Sequence, residues 1–196
     1  EAEQALEYAA DRGIIDQVPK DVLPMVAEML LGEYGYGREL AREGWSLLHV
    51  AVARDRIDVA RALVERGASL SARTSDNETP LRLAIKNGDY DQATCAKLVE
   101  LLLEHGAPVD EACGGETLLH DACTYKAGIG AVRVLIAHGA EVNSPGSNGR
   151  TPLSRGCEQL PGSSKVLPYL VKHGADIDLA DNFGRTPLHW AMNSSH

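Results

Sequence analysis

Aromatic residues are scarce in this chain of 196 residues, with one Phe and two Trp. A bulky aromatic centre is thereby excluded, and the core must be assembled from Leu, Val, Ile and Ala, which suit thin helical layers. No run of about 18 consecutive apolar residues occurs, so neither a transmembrane helix nor a membrane partner is expected. No signal-peptide pattern is present. Basic clusters are missing too: the formal net charge is -9, and the cations fall in scattered pairs such as Arg54 and Arg56. Such a surface repels phosphate backbones, which argues against nucleic acid as the partner. The four cysteines, Cys95, Cys113, Cys123 and Cys157, lack C-x-x-C spacing. They read as reduced thiols of an intracellular protein, cytoplasmic or nuclear.

What is present is average in amount and periodic in arrangement. Hydrophobic residues make up 44% and charged residues 24%, which argues for folded chain over disorder. The tetrapeptides beginning at Ser46, Thr79, Thr117, Thr151 and Thr186 (Ser-Leu-Leu-His, Thr-Pro-Leu-Arg, Thr-Leu-Leu-His, Thr-Pro-Leu-Ser and Thr-Pro-Leu-His) are versions of one another, 33, 38, 34 and 35 positions apart. A second marker, Gly-Ala, recurs in phase at Gly67, Gly106, Gly139 and Gly174. Thr or Ser followed by Pro or Leu starts a helix, because the hydroxyl accepts from a free backbone donor and Pro lacks one. Apolar stretches such as Val59–Val64 and Val132–Ile136 form second helices, each ending in His or Arg and then Gly, as a helix C-terminus requires. Asp, Asn and Gly after each Gly-Ala suit a tight turn. One unit is helix, turn, helix, finger. Its apolar face is covered only by stacking on its neighbours.

On these motifs the chain resembles the ankyrin repeat family from about Arg42 to His196. The resemblance implies an all-α solenoid of helix-turn-helix units with hairpin-like finger loops. Its repeats would span 44–76, 77–114, 115–148, 149–183 and a truncated 184–196. Residues 1–43 read as a degenerate N-terminal capping repeat, since Leu6–Gly13 and Asp21–Leu31 keep a weakened form of the pattern. A start at Glu1 and an unfinished last unit lead us to expect a fragment of something longer. Three departures stand out. Extra residues around Lys86–Ala96 should lengthen the inter-helix turn or the second helix. Arg155-Gly156-Cys157 disturbs the first helix of the fourth repeat, and Pro168 should delay or kink its second. Asn77 stands where the finger usually has Gly.

Candidate chemistry is sparse. The resemblance implies that His49, His120 and His189, at one repeat position, bridge neighbouring repeats rather than catalyse. His105, His138 and His173 each precede the Gly and read as helix caps. Cys113, His120 and Cys123 are irregularly spaced for a metal, and Cys123 shares the core position of Val52 and Ile85. Neither metal nor cofactor nor catalytic residue is assigned. The expected function is a non-enzymatic, monomeric module that binds another protein through the concave face implied by the resemblance, built from fingers and first helices. The candidate contacts are Arg73, Asp76, Asn148 and Phe183 in the fingers, with Lys86, Asp121, Tyr125, Arg155, Glu158 and Trp190 in the first helices. Right after the His position the five repeats carry Val50, Leu83, Asp121, Arg155 and Trp190, a variation that suggests a specialised surface. Two alternatives remain: a structural segment of a larger protein, and an enzyme using the groove near the fourth repeat.

Overall fold

In the computed structural model, which describes residues 44–86, 92–124, 128–159 and 165–193, helices start where the hydroxyl residues predict. The Ser46 side chain accepts from the His49 amide, and Thr79 and Thr151 accept from the amides of Arg82 and Ser154, both at 3.2 Å. The first helices that follow are α1 (Leu47–Ala53), α3 (Pro80–Lys86), α5 (Leu118–Thr124), α7 (Pro152–Glu158) and α9 (Pro187–Asn193). Between them come the second helices α2 (Ile57–Glu65), α4 (Gln92–Glu104), α6 (Gly128–Ala137) and α8 (Val166–Lys172). The Gly-Ala marker proves to be one repeated closure. Gly67, Gly106, Gly139 and Gly174 all have φ near +90°, and the amide of the following Ala reaches back to the carbonyl of Leu63, Leu102, Leu135 or Leu170, each at 3.0 Å. Only glycine adopts that backbone without strain.

Each of α1, α3, α5 and α7 packs on its own second helix, first helices pack on first helices, and second on second, in chain order. The core is therefore a ribbon and not a closed centre. Leu48, Leu81, Leu119 and Leu153 run along it, 1–3% exposed. Their fifth counterpart, Leu188 on α9, is 68% exposed, because among the described residues no second helix covers it. The fingers are tight turns. In one, β1 (Ala112–Cys113) pairs antiparallel with β2 (Glu116–Thr117) across Gly114 and Gly115, both at positive φ. Asn77 occupies its finger's left-handed position at φ 62°.

One departure resolves differently from expectation. The fourth repeat's first helix is not disturbed: α7 is seven residues long, like α1, α3 and α5, with Gly156 buried at the usual Ala position. Its Thr151 cap, Pro152 in the first turn and packing from both sides outweigh glycine's helix penalty of about 1 kcal/mol. The extra residues of the second repeat go at least partly into α4, 13 residues long against 9 for α2. Pro168 falls in the first turn of α8, which begins at Val166 and so tolerates it. The N-terminal capping repeat at 1–43 and the breaker-rich Leu160–Ser164 connection lie outside the described residues.

Candidate partner-binding surface

The joints between repeats set the frame for any surface residue. In α1 and α5 the His ring uses both nitrogens. Nδ1 accepts from the backbone amide three residues earlier, Ser46 at 3.1 Å and Thr117 at 3.2 Å. That leaves the proton on Nε2, which donates to the next finger's carbonyl, Glu78 at 3.1 Å and Arg150 at 2.9 Å. Burial lowers the pKa of both rings, outweighing those carbonyls, and keeps them neutral.

The second repeat carries Arg82 instead, buried to the same depth. Its Nη2 donates to the Glu116 carbonyl at 2.9 Å, the position equivalent to Glu78 and Arg150, and to the Glu111 carbonyl at 3.2 Å. A buried guanidinium needs counter-charge. Asp121 binds its Nη1, and the Glu111 carboxylate lies 3.5 Å from Nε while accepting from Thr79 at 2.6 Å. Burial pushes the Asp121 carboxyl up to about 6, against the opposing pull of Arg82 and Lys86. Arg82 and Glu111 were not singled out in the sequence, and Glu116 was read there as charged surface. The available signal was an Arg at a His position.

The predicted contacts divide sharply. Val50, Leu83 and Asp121 are buried, so the variable row after the His position is closed in the first three repeats; only Arg155 and Trp190 keep partial exposure. Asp121 is committed to Arg82 and corrected from surface to joint. Lys86 is half-buried and paired with Glu78. Tyr125 lies outside the described residues. In the fingers, Arg73 donates to the Asn77 carbonyl at 3.0 Å, and Asp76 and Asn148 are exposed. Among the described residues Phe183 is the most exposed large hydrophobic side chain of the fingers, at 66%, with the Arg185 guanidinium 4.9 Å from its ring.

Around the fourth and fifth repeats the remaining candidates are brought together. Arg155 lies 3.4 Å from Glu116 and 3.5 Å from Glu158, and Glu158 also accepts from Arg150 at 2.5 Å. Arg150 stacks on one side of the Trp190 cluster, 3.6 Å from the ring centroid, and Arg185 lies 4.0 Å from the same ring. The Trp190 Nε1 donates to Asp181 at 3.2 Å. Burial opposes ionisation of Asp181, but the amides of Arg185 and Phe183 and the Arg185 guanidinium outweigh it and hold its pKa below the ordinary value. Arg150, Asp181 and Arg185 escaped sequence reading because nothing local marks a stacking partner. The thiols of Cys123 and Cys157 are buried and pushed up by desolvation. Among the described residues, no group of three metal-binding side chains converges, and no helix is long and apolar enough to cross a membrane.

Comparison with known proteins agrees with this architecture. The family pattern described as ankyrin repeats in three copies matches at residues 20–96, 72–146, 92–181 and 126–196. The human ankyrin repeat and SOCS box protein 16 is 32% identical over 205 residues, covering 78% of this chain and 44% of that protein. An ankyrin repeat protein of Fowlpox virus (strain NVSL) is 38% identical over 115 residues, 56% of this chain and 31% of its own length. A Caenorhabditis elegans homologue of transient receptor potential cation channel subfamily A member 1 is 30% identical, across 59% of this chain and 9% of its own. The chain thus spans less than half of each of these relatives. With five phased helix starts, four identical helix closures and a matching pattern over most of its length, the chain belongs to the ankyrin repeat family.

Proposed function

We propose that the chain is a non-enzymatic protein-interaction module that holds a partner protein on its concave face, where fingers and first helices line up. The observation that carries this reading is the cluster at repeats four and five. Arg155, Trp190 and Phe183 keep exposure there, and Arg and aromatic side chains dominate interface energetics. The row is closed in the first three repeats, so contact from first helices concentrates at the C-terminal half while finger tips such as Asp76 and Asn148 contribute along the array. Carboxylates that could have served as acid and base are instead tied to arginines: Asp121 to Arg82, and Glu116 and Glu158 to Arg155. The module is read as intracellular and monomeric, without cofactor and without nucleic acid as partner.

The test is capture of partner protein from cells by the full chain, compared with an Arg155→Ala/Phe183→Ala variant of unchanged thermal stability. Loss of the captured protein is the expected outcome. Undiminished capture by the double variant overturns the concave-face reading. A second reading, packing as a structural segment against another part of a longer protein, is favoured by the exposure of Leu188 and Met192 on α9. Under that reading, a longer natural chain melts well above this one.

A further inference from the structure

We propose that Glu158 is an internal stand-in for a partner's carboxylate, occupying in the free chain a two-arginine site, Arg150 and Arg155, that receives an acidic side chain of the bound protein. This rests on the concave-face reading and names the chemistry of the partner.

The arginines are fixed before any partner arrives. Arg150 is stacked against Trp190, its carbonyl accepts from His120, and its side chain is 10% exposed. Arg155 is anchored from the other side by Glu116 at 3.4 Å. Such pre-organised donors bind an anion without paying again for ordering. Glu158, by contrast, is more open at 35% and touches both guanidiniums through a single oxygen, Oε2. That one oxygen meets a single Nη of each arginine, short of the two-point planar pairing a guanidinium can give a carboxylate.

The placement of Glu158 also works against it. It is the last residue of α7, where the negative end of the helix disfavours an acid. The equivalent residues are Ala53, Lys86 and Thr124, so no other described first helix followed by its second helix ends in one. Glu158 itself keeps solvent access at 35%, and screening by water on that side leaves it displaceable. The exposed ring of Phe183 is linked to the arginine pair through Arg185, which contacts both that ring and the Trp190 on which Arg150 stacks. An acidic residue flanked by aliphatic side chains fits this combination.

The probe is a fluorescein-labelled peptide of about a dozen residues built from Glu, Leu and Gly, with a Gln-for-Glu counterpart, titrated against the full chain by anisotropy. Glu158→Gln is expected to tighten binding of the acidic peptide about fivefold and leave the Gln peptide unchanged, while Arg155→Ala weakens it. Glu104→Gln, on the second-helix row, removes the same charge elsewhere and is expected to change affinity less than twofold. Equal gains from Glu104→Gln and Glu158→Gln overturn the proposal, because general charge then explains both. No gain from Glu158→Gln, with its melting temperature unchanged, also overturns it; if that variant melts early, Glu158→Ala in the same titration decides between the same two outcomes. Failure of every form to bind the acidic peptide, with cellular capture still dependent on Arg155 and Phe183, sinks this inference and leaves the concave-face reading standing. Capture independent of those residues removes both.

Discussion

Three joints of this solenoid solve one problem with two kinds of chemistry. Between repeats one and two, and again between three and four, a neutral imidazole donates to the next finger's carbonyl. Between two and three the equivalent carbonyl receives a guanidinium, and two carboxylates accompany it into the interior. The backbone acceptor is the fixed requirement, since a buried carbonyl left without a donor costs about 1–3 kcal/mol. The identity of the donor is free, but a charged donor brings obligations that a neutral one does not. Asp121 is buried for that reason, and a surface position has been given up to serve the fold.

The strongest way to break the contrast is Arg82→Met. It leaves Asp121 and Glu111 buried without their cation and is expected to cost about 3–5 kcal/mol in urea denaturation. Arg82→His combined with Asp121→Leu should recover most of that loss by converting the joint to the neutral type; no recovery would show that the two joints are not interchangeable. Next in size is Gly146→Ala. An added Cβ would stand 2.6 Å from His120 Nε2 and 2.7 Å from Glu116 Oε2, against the neutral joint, for a loss of about 1–3 kcal/mol. His120→Ala removes both the cap and the bridge and is expected to cost about 2 kcal/mol, measured the same way.

The joints also respond to acid with opposite sign. His49 and His120 have lowered pKa values, so their contribution is present above the unfolded value near 6.5 and fades as pH falls through it. Asp121, raised from 3.8 to about 6, binds a proton in the folded chain before the unfolded chain does, and so adds stability as pH falls from 7 toward 4. Asp121→Asn should therefore lose more stability between pH 7 and 5 than the wild type, in paired urea titrations. A steeper loss in the wild type would contradict the assignment. The smallest expected effect is Phe183→Ser, within about 0.5 kcal/mol of wild type, since its ring is mostly in water.

The architecture was legible in the sequence because its punctuation is local. Thr-Pro, the capping His and the Gly-Ala closure act within a few residues, so their spacing alone implied the stack. The candidate surface was less legible. Val50 and Leu83 share a repeat position with Arg155, yet packing from adjacent units buries the first two and leaves the third partly open. Position within a repeat predicts direction, whereas exposure depends on neighbouring side chains about a repeat away. Asp121 lies 39 residues from Arg82, and the Arg150–Trp190 stack joins residues in different repeats. Gly156 misled in the other direction, since its helix penalty is overcome by a good cap and full burial.

Each imidazole that fastens a joint is at once the latch of its own helix and the hand that holds the following finger. Loosening one finger therefore frees the ring that seals the start of the preceding helix, and disorder travels backwards by one unit. Ser154 stands where that ring would be in the fourth repeat and bonds only within its own cap at Thr151. The imidazole bridge is missing at that joint, and the Arg150–Trp190 stack spans it instead.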